Sequence, residues 1–307
     1  RDPEHDALVM SSVAKAARTG RLSGLGAPTT FHHPQVLLHE LRLHKTADEL
    51  AVLRRAAKVS AEAHVACMRA TVPGRKEYEI EAVLHHHFLS QGSTGAGYTP
   101  IVAGGANATI LHYVTNRDTL RDGDLLLIDA GCEVDYYTAD ITRTFPVNGR
   151  FSDAQRRVYE AVLAAQEASI AACREGQTFH DVHMASVRVL TAAMVELGLL
   201  EGEVDALVED KSFKRYYMHG TSHWLGLDVH DVGAYVAEGD SRPLAAGMVL
   251  TVEPGLYVPE DDADAPEALR GIGVRIEDDV LVTSGAPEVL TAAAPKSVDE
   301  LEALLCG

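Results

Sequence analysis

Apolar residues recur at helical spacing from Leu50 through Leu53, Ala57, Ala61 and Met68, directly after Thr46-Ala-Asp-Glu49. That tetrad has the form of a capping box, with a hydroxyl at N-cap and a carboxylate at N3, and the spacing predicts a helix running to Pro73-Gly74. A second helix is expected over about 76–91, stopped by Gly92, and strand-like runs follow from Tyr98 to Phe145. The pattern then starts over. Ser152 and Gln155 form another capping box, Gly176 breaks the helix it opens, Thr178 caps a next helix over about 179–197, and Gly198 ends that one. Strand-rich sequence returns from Phe213 to Thr283, and a tail helix begins near Ser297. Helix, helix, strands, twice over, predicts two similar halves of one α+β domain, each laying helices on one face of a mainly antiparallel sheet. Upstream, a helix is expected over Val9–Ala17 and a loop over Ser23–Pro28.

The run Leu125–Pro146 carries the first unusual chemistry. Leu125–Asp129 reads as a buried strand and Tyr137–Phe145 as its returning partner. A turn centred on Val134 and Asp135 would set Asp129 directly opposite Asp140 on one face. Like charges facing across a strand pair repel, and burial adds to the cost. Arg143 falls on the other side of the pleat from Asp140, so a bound cation is the economical counter-charge; a simple turn-capping Asp is the plainer alternative. The second half repeats the oddity, with Glu253 and Glu277 each closing an apolar run. Arg275 shares a face with Glu277 and could pair with one Glu, though not with four carboxylates. Between the runs, His219, His223 and His230 fall within one short stretch containing the only Trp, and beside four stranded carboxylates they read as ligands or acid–base groups. His85, His86 and His87 point three ways around a helix and read as solvated.

Four carboxylates with one His make a hard, oxygen-rich site suited to Mn²⁺ or Co²⁺ rather than to structural zinc. Four acids exceed the needs of one ion, so two bridged ions about 3.5–4 Å apart fit better, and hydrolysis is the natural chemistry of such a pair. Composition narrows the setting. A net charge of −18 argues against nucleic acid and anionic membranes as partners. Four scattered Cys without CxxC spacing point to a reducing cytoplasm, and no apolar stretch reaches membrane-spanning length. The chain starts at Arg1, so a longer parent protein is expected.

On these motifs the sequence resembles the pita-bread metallopeptidases, in their proline-peptidase branch. His219–Asp231 follows the branch's His-Gly-x-Ser-His-x-x-Gly-x-x-x-His-Asp signature. The resemblance implies a pita-bread fold, with residues 40–307 as the catalytic domain and residues 1–39 as the remnant of an N-terminal domain or linker. It implies metal ligands at Asp129, Asp140, His223, Glu253 and Glu277, with two divalent ions, Mn²⁺ first and Co²⁺ or Zn²⁺ as alternatives. It also implies an aminopeptidase that releases the N-terminal residue from Xaa-Pro peptides, through attack of a metal-bridging hydroxide on the scissile carbonyl. Glu253 would shuttle the proton, His230 would stabilise the carbonyl oxygen, His112 and His219 would contact substrate around the proline, and Arg275, Tyr257 and Thr142 would support the ligands. A homo-oligomer, dimer or tetramer, is implied when the N-terminal domain is present. The alternatives are an Xaa-Pro dipeptidase (prolidase) and a non-catalytic binding module of the same fold.

Overall fold

Capping fixes the start of each long helix. In the computed structural model, which describes residues 2–24, 26–237 and 239–306, the chain separates into two compact units, residues 1–39 and 40–307. In the first unit Asp2 accepts the backbone N–H groups of Glu4 and His5 and opens α1 (Pro3–Ser23), closed by Gly24 at φ 70°. This helix is longer than the expected Val9–Ala17, because the Asp-Pro start and the left-handed glycine lie beyond the apolar stretch. A second helix, α2 (Gln35–Leu43), falls where none was expected. Its Leu37, Leu38 and Leu41 stay largely exposed, so no buried stripe signals it.

In the second unit the Thr46 hydroxyl accepts the Glu49 N–H while the Glu49 carboxylate accepts the Thr46 N–H at 2.7 Å, opening α3 (Ala47–Ala70). Then come α4 (Glu77–Ser90), β1 (Gly95–Ala96), β2 (Ile101–Gly104), β3 (Leu125–Asp129), β4 (Cys132–Val134), β5 (Tyr137–Thr138) and β6 (Thr142–Pro146). The expected boxes at Ser152 and Thr178 open α5 (Asp153–Ala172) and α6 (Phe179–Glu196). The second half continues through α7 (Val204–Glu209), β7 (Val236–Ala237), β8 (Asp240–Ser241), β9 (Val249–Val252), β10 (Gly255–Tyr257), β11 (Gly273–Arg275), β12 (Asp278–Leu281), β13 (Glu288–Val289) and α8 (Val298–Cys306). Each half holds a three-stranded antiparallel sheet that carries its acids, β2-β3-β6 in the first and β13-β12-β9 in the second. The α+β, two-half fold class expected from the sequence is the one observed.

Alternation along these strands decides where chemistry can sit. Ile128 joins the main core with Ala63 and Met68 of α3, Phe88 of α4 and Val162 of α5, all fully buried. Each such side chain stabilises the fold by roughly 1.5–3 kcal/mol when large and apolar. Its neighbour Asp129 points to the opposite face of the sheet, away from the helices.

The register corrects one expectation. Asp129 pairs with Thr142, not with Asp140. The turn is centred on Asp135 and Tyr136, both left-handed at φ 47° and 71°, one residue later than the sequence was read. No glycine marks that turn, which is why its centre was not legible. Asp140 still lies on the face of Asp129, two residues before Thr142. It enters where a Cβ at Gly131 would stand 1.7 Å from the Ala139 carbonyl oxygen, so only glycine allows the strands to approach there. In the second half each apolar run breaks at its carboxylate, as its place at the end of the run suggested. Glu253 sits between β9 and β10, and Glu277 between β11 and β12.

The two halves meet at the Thr142–Glu277 bridge, where the Glu277 N–H donates to the Thr142 carbonyl at 3.0 Å. On the helix side of the same seam, fully buried Arg143 pairs with Asp278 at 2.7 Å. Gln166 of α5, Thr291 and Lys296 complete the carboxylate's partners. Burial alone would raise the Asp278 carboxyl, but the charges and hydrogen bonds of Arg143 and Lys296 hold it well below the usual range. Arg143→Ala is expected to cost about 3–5 kcal/mol, as breaking a buried ion pair does. Urea denaturation should show it as a lower midpoint with an unchanged slope.

Candidate active site

On the face turned away from the helices, a cavity of about 430 Å³ is lined by Asp129, Asp140, His219, His223, Glu253 and Glu277 on its floor, with Tyr98, Leu111, His112, Val229 and His230 among its walls. Strand ends supply the acids. Asp129 closes β3, Asp140 precedes β6, Glu253 follows β9 and Glu277 follows β11. Asp140, His223 and Glu277 are brought closest, each offering a donor atom within 4.8 Å of the others. The His223 Nε2 lies 3.4 Å from Asp140 and 3.5 Å from Glu253. Asp129 stands slightly apart. Its carboxylate accepts Arg275 Nη2 at 2.6 Å and the Tyr98 hydroxyl at 2.7 Å.

That ion pair corrects another expectation, since Arg275 meets Asp129 of the first half rather than a Glu of its own half. The reason is reach: Arg275 lies deep in the sheet, donates Nε to Thr142 Oγ1 at 3.1 Å and Nη1 to the Tyr257 hydroxyl at 3.1 Å, and so points across the seam. Thr142 in turn donates to Glu277 at 2.6 Å, and Tyr257 lies 2.9 Å from His219 Nε2. Thr142 thus meets Glu277 directly, while Tyr257 meets Arg275 and His219. His219 and His223 orient through their Nδ1 atoms on the carbonyls of Gly220 and Trp224. His230 packs edge-on to His223 with ring centroids 4.2 Å apart, its imidazole open to the cavity. His112 stands exposed on the wall.

The electrostatics are those of too much negative charge away from water. Burial pushes the carboxyl groups of Asp140, Glu253 and Glu277 up, Glu253 to about 7, and repulsion from neighbouring carboxylates, Asp129 among them for each, adds to this. Burial would depress His223, yet its hydrogen bond to Asp140 and the charges of Glu253 and Asp140 lift it to about 9. The reverse holds for His219, which burial and the nearby Arg275 lower to about 4. One Arg against four acidic side chains leaves a site short of positive charge, and its oxygen-rich donor set suits hard divalent cations.

Two groups at this site escaped the sequence reading. Tyr98 hydrogen-bonds both Asp129 and Asp140, yet nothing in the sequence distinguishes it from an ordinary aromatic before a strand. Asp279 is buried and accepts the Asp140 backbone N–H at 3.2 Å. It had a signal, since it lies two residues after Glu277 and therefore on the same face of the pleat.

The match to known proteins bears on the same residues. The model of metallopeptidase family M24 matches residues 51–284, a span that contains every floor residue of the cavity. The chain belongs to metallopeptidase family M24. The chain is 47% identical over 298 residues to an Xaa-Pro aminopeptidase of Escherichia coli, covering 97% of its own length and 67% of that relative's. It spans 62% of the Haemophilus influenzae relative, also an Xaa-Pro aminopeptidase. The solved structure of Pseudomonas aeruginosa aminopeptidase PepP superposes with a TM-score of 0.94 at 48% identity, over 99% of this chain and 69% of that one. Escherichia coli aminopeptidase P, at 46% identity and a TM-score of 0.92, has been solved with the inhibitor Pro-Leu, covering 100% of this chain and 69% of that one. Among the described residues of this M24 member, no helix is long and apolar enough to cross a membrane.

A pH dependence follows from the raised groups. His223, with a folded pKa near 9 against 6.5 unfolded, contributes stability that is complete below about 6.5 and is lost as pH rises through 9. The raised Glu277 and Asp279 carboxyls act in the same direction, because their folded forms also hold protons that the unfolded chain has released. Chelator-treated protein is therefore expected to melt at a lower temperature at pH 9 than at pH 7. A melting temperature that rises over that range would contradict the charge arrangement.

Proposed function

We propose that this chain is a proline-specific metallo-aminopeptidase that releases the N-terminal residue from peptides with proline in second position. Residues 40–307 form its catalytic domain, since every site residue falls within that unit. The observation that carries the reading is the convergence of Asp140, His223 and Glu277 in a buried, oxygen-rich cluster, flanked by Asp129 and Glu253. It is supported by the Xaa-Pro aminopeptidases among its relatives and by the Pro-Leu complex of Escherichia coli aminopeptidase P.

In this reading Asp129, Asp140, His223, Glu253 and Glu277 would hold two divalent ions, Mn²⁺ before Co²⁺ or Zn²⁺, with Asp140 and Glu277 the most buried of the four acids. When bound, such ions supply Lewis acidity and an acidified water near neutral pH. The chain's own groups do the rest. Glu253 would take a proton from the attacking water at its carboxylate and return it to the proline nitrogen as the scissile C–N bond breaks. His230 offers an imidazole N–H to the scissile carbonyl oxygen as charge gathers there. His219, neutral at working pH, and His112 line the part of the cavity where the proline ring would rest. Arg275 keeps Asp129 aimed at the cavity through its 2.6 Å hydrogen bond. Four free thiols, three of them buried, support a cytoplasmic location.

The deciding assay compares Xaa-Pro dipeptides with Ala-Pro-Ala in the presence of Mn²⁺, Co²⁺ or Zn²⁺. Cleavage of the tripeptide before proline is expected. Cleavage of dipeptides alone would make the protein a prolidase, and no cleavage with any metal would reject the proposal. Asp140→Ala is expected to abolish metal content and activity together, as read by elemental analysis and turnover. His230→Ala should retain its metal while turnover falls about 10²-fold or more, the cost of losing an oxyanion donor.

A further inference from the structure

The residue that follows His230 occupies an unusual setting for a carboxylate. Asp231, with a side chain 1% exposed, sits between Arg42, in the last turn of α2, and Lys45, in the segment joining α2 to α3. Arg42 Nη2 donates to its Oδ1, and the Lys45 ammonium, on a side chain also 1% exposed, lies 3.5 Å from its Oδ2. The loop itself is wound tightly around this group. The Asp231 N–H donates to the Trp224 carbonyl at 2.9 Å, and the Gly226 N–H to the Asp228 carbonyl at 3.2 Å. A Cβ at Gly226 would stand 2.2 Å from Asp231 Oδ2, so the glycine is the residue that lets the loop close on the carboxylate. Arg42 also reaches Asp228 on the same loop at 2.7 Å.

Such a buried ion cluster is poorly explained by stability, since replacement by apolar groups of similar volume is often neutral or stabilising. What it fixes is direction. With Asp231 held from two sides and its N–H tied to Trp224, the preceding Cα has little freedom, and the His230 ring stays edge-on to His223 at 4.2 Å.

We infer that Asp231, gripped by Lys45 and Arg42, is a positioning residue that aims the His230 imidazole into the cavity. The inference rests on the role proposed above for His230. Its test is a double-mutant cycle in the metal-loaded enzyme, with Ala-Pro-Ala as substrate. Lys45→Met is expected to lower kcat by about ten- to a hundredfold, the range for a misplaced reacting group, with metal content intact and KM changed little. In a His230→Ala background the same substitution is expected to change kcat less than twofold, because the group it would misplace is gone. Arg42→Gln, at a side chain 26% exposed, provides the same cycle should Lys45→Met fail to fold. An equal fall in both backgrounds, or no fall in either, would overturn the inference while leaving the proposed activity in place. Wild-type protein that leaves Ala-Pro-Ala uncut would remove both.

Discussion

Repulsion among carboxylates withdrawn from water is the constraint around which this molecule is arranged. Asp140 and Glu277 are nearly inaccessible, and Asp129 and Glu253 little more exposed. Unpaired charges in such a place would be prohibitively costly. The fold confines them with rigid strand ends on both sides of a single seam, and it partially compensates them with Arg275, Tyr98, Thr142 and His223. That compensation is incomplete, which is what gives the site its appetite for divalent cations.

The same constraint accounts for the division of labour across the sheets. Alternation sends Ile128 into the helix-covered core and Asp129 into the cavity. It likewise separates Asp278, sealed with Arg143 against α5, from Glu277 on the other face. Two acid populations therefore coexist within a few ångströms, one permanently neutralised by protein cations and one reserved for exchangeable ones.

Much of this was legible in the sequence, for identifiable reasons. Capping boxes at Thr46, Ser152 and Thr178 are local, so helix starts could be read residue by residue, and their repetition revealed the two halves. Glu253 and Glu277 stood out because each closes an apolar run. Pairing register was less accessible, because the left-handed turn at Asp135 and Tyr136 lacks the glycine that would mark it. Long-range partners were the least accessible. That Arg275 crosses the seam to Asp129, that Tyr98 lies between two aspartates, and that Lys45 reaches Asp231 across 186 positions are products of tertiary packing with no local periodicity to announce them.

The consecutive acids Glu277, Asp278 and Asp279 carry a consequence for assembly. Because successive side chains alternate across the pleat, a strand threaded one step out of place would crowd two carboxylates into the position where Arg143 and Lys296 now hold one. The misthreaded chain would press like charges together in the driest part of the protein and deprive the cavity of a donor. This acidic triplet thus acts as a proofreading device for alignment, penalising error on both faces at once and tying the fidelity of folding to the same side chains that define the site.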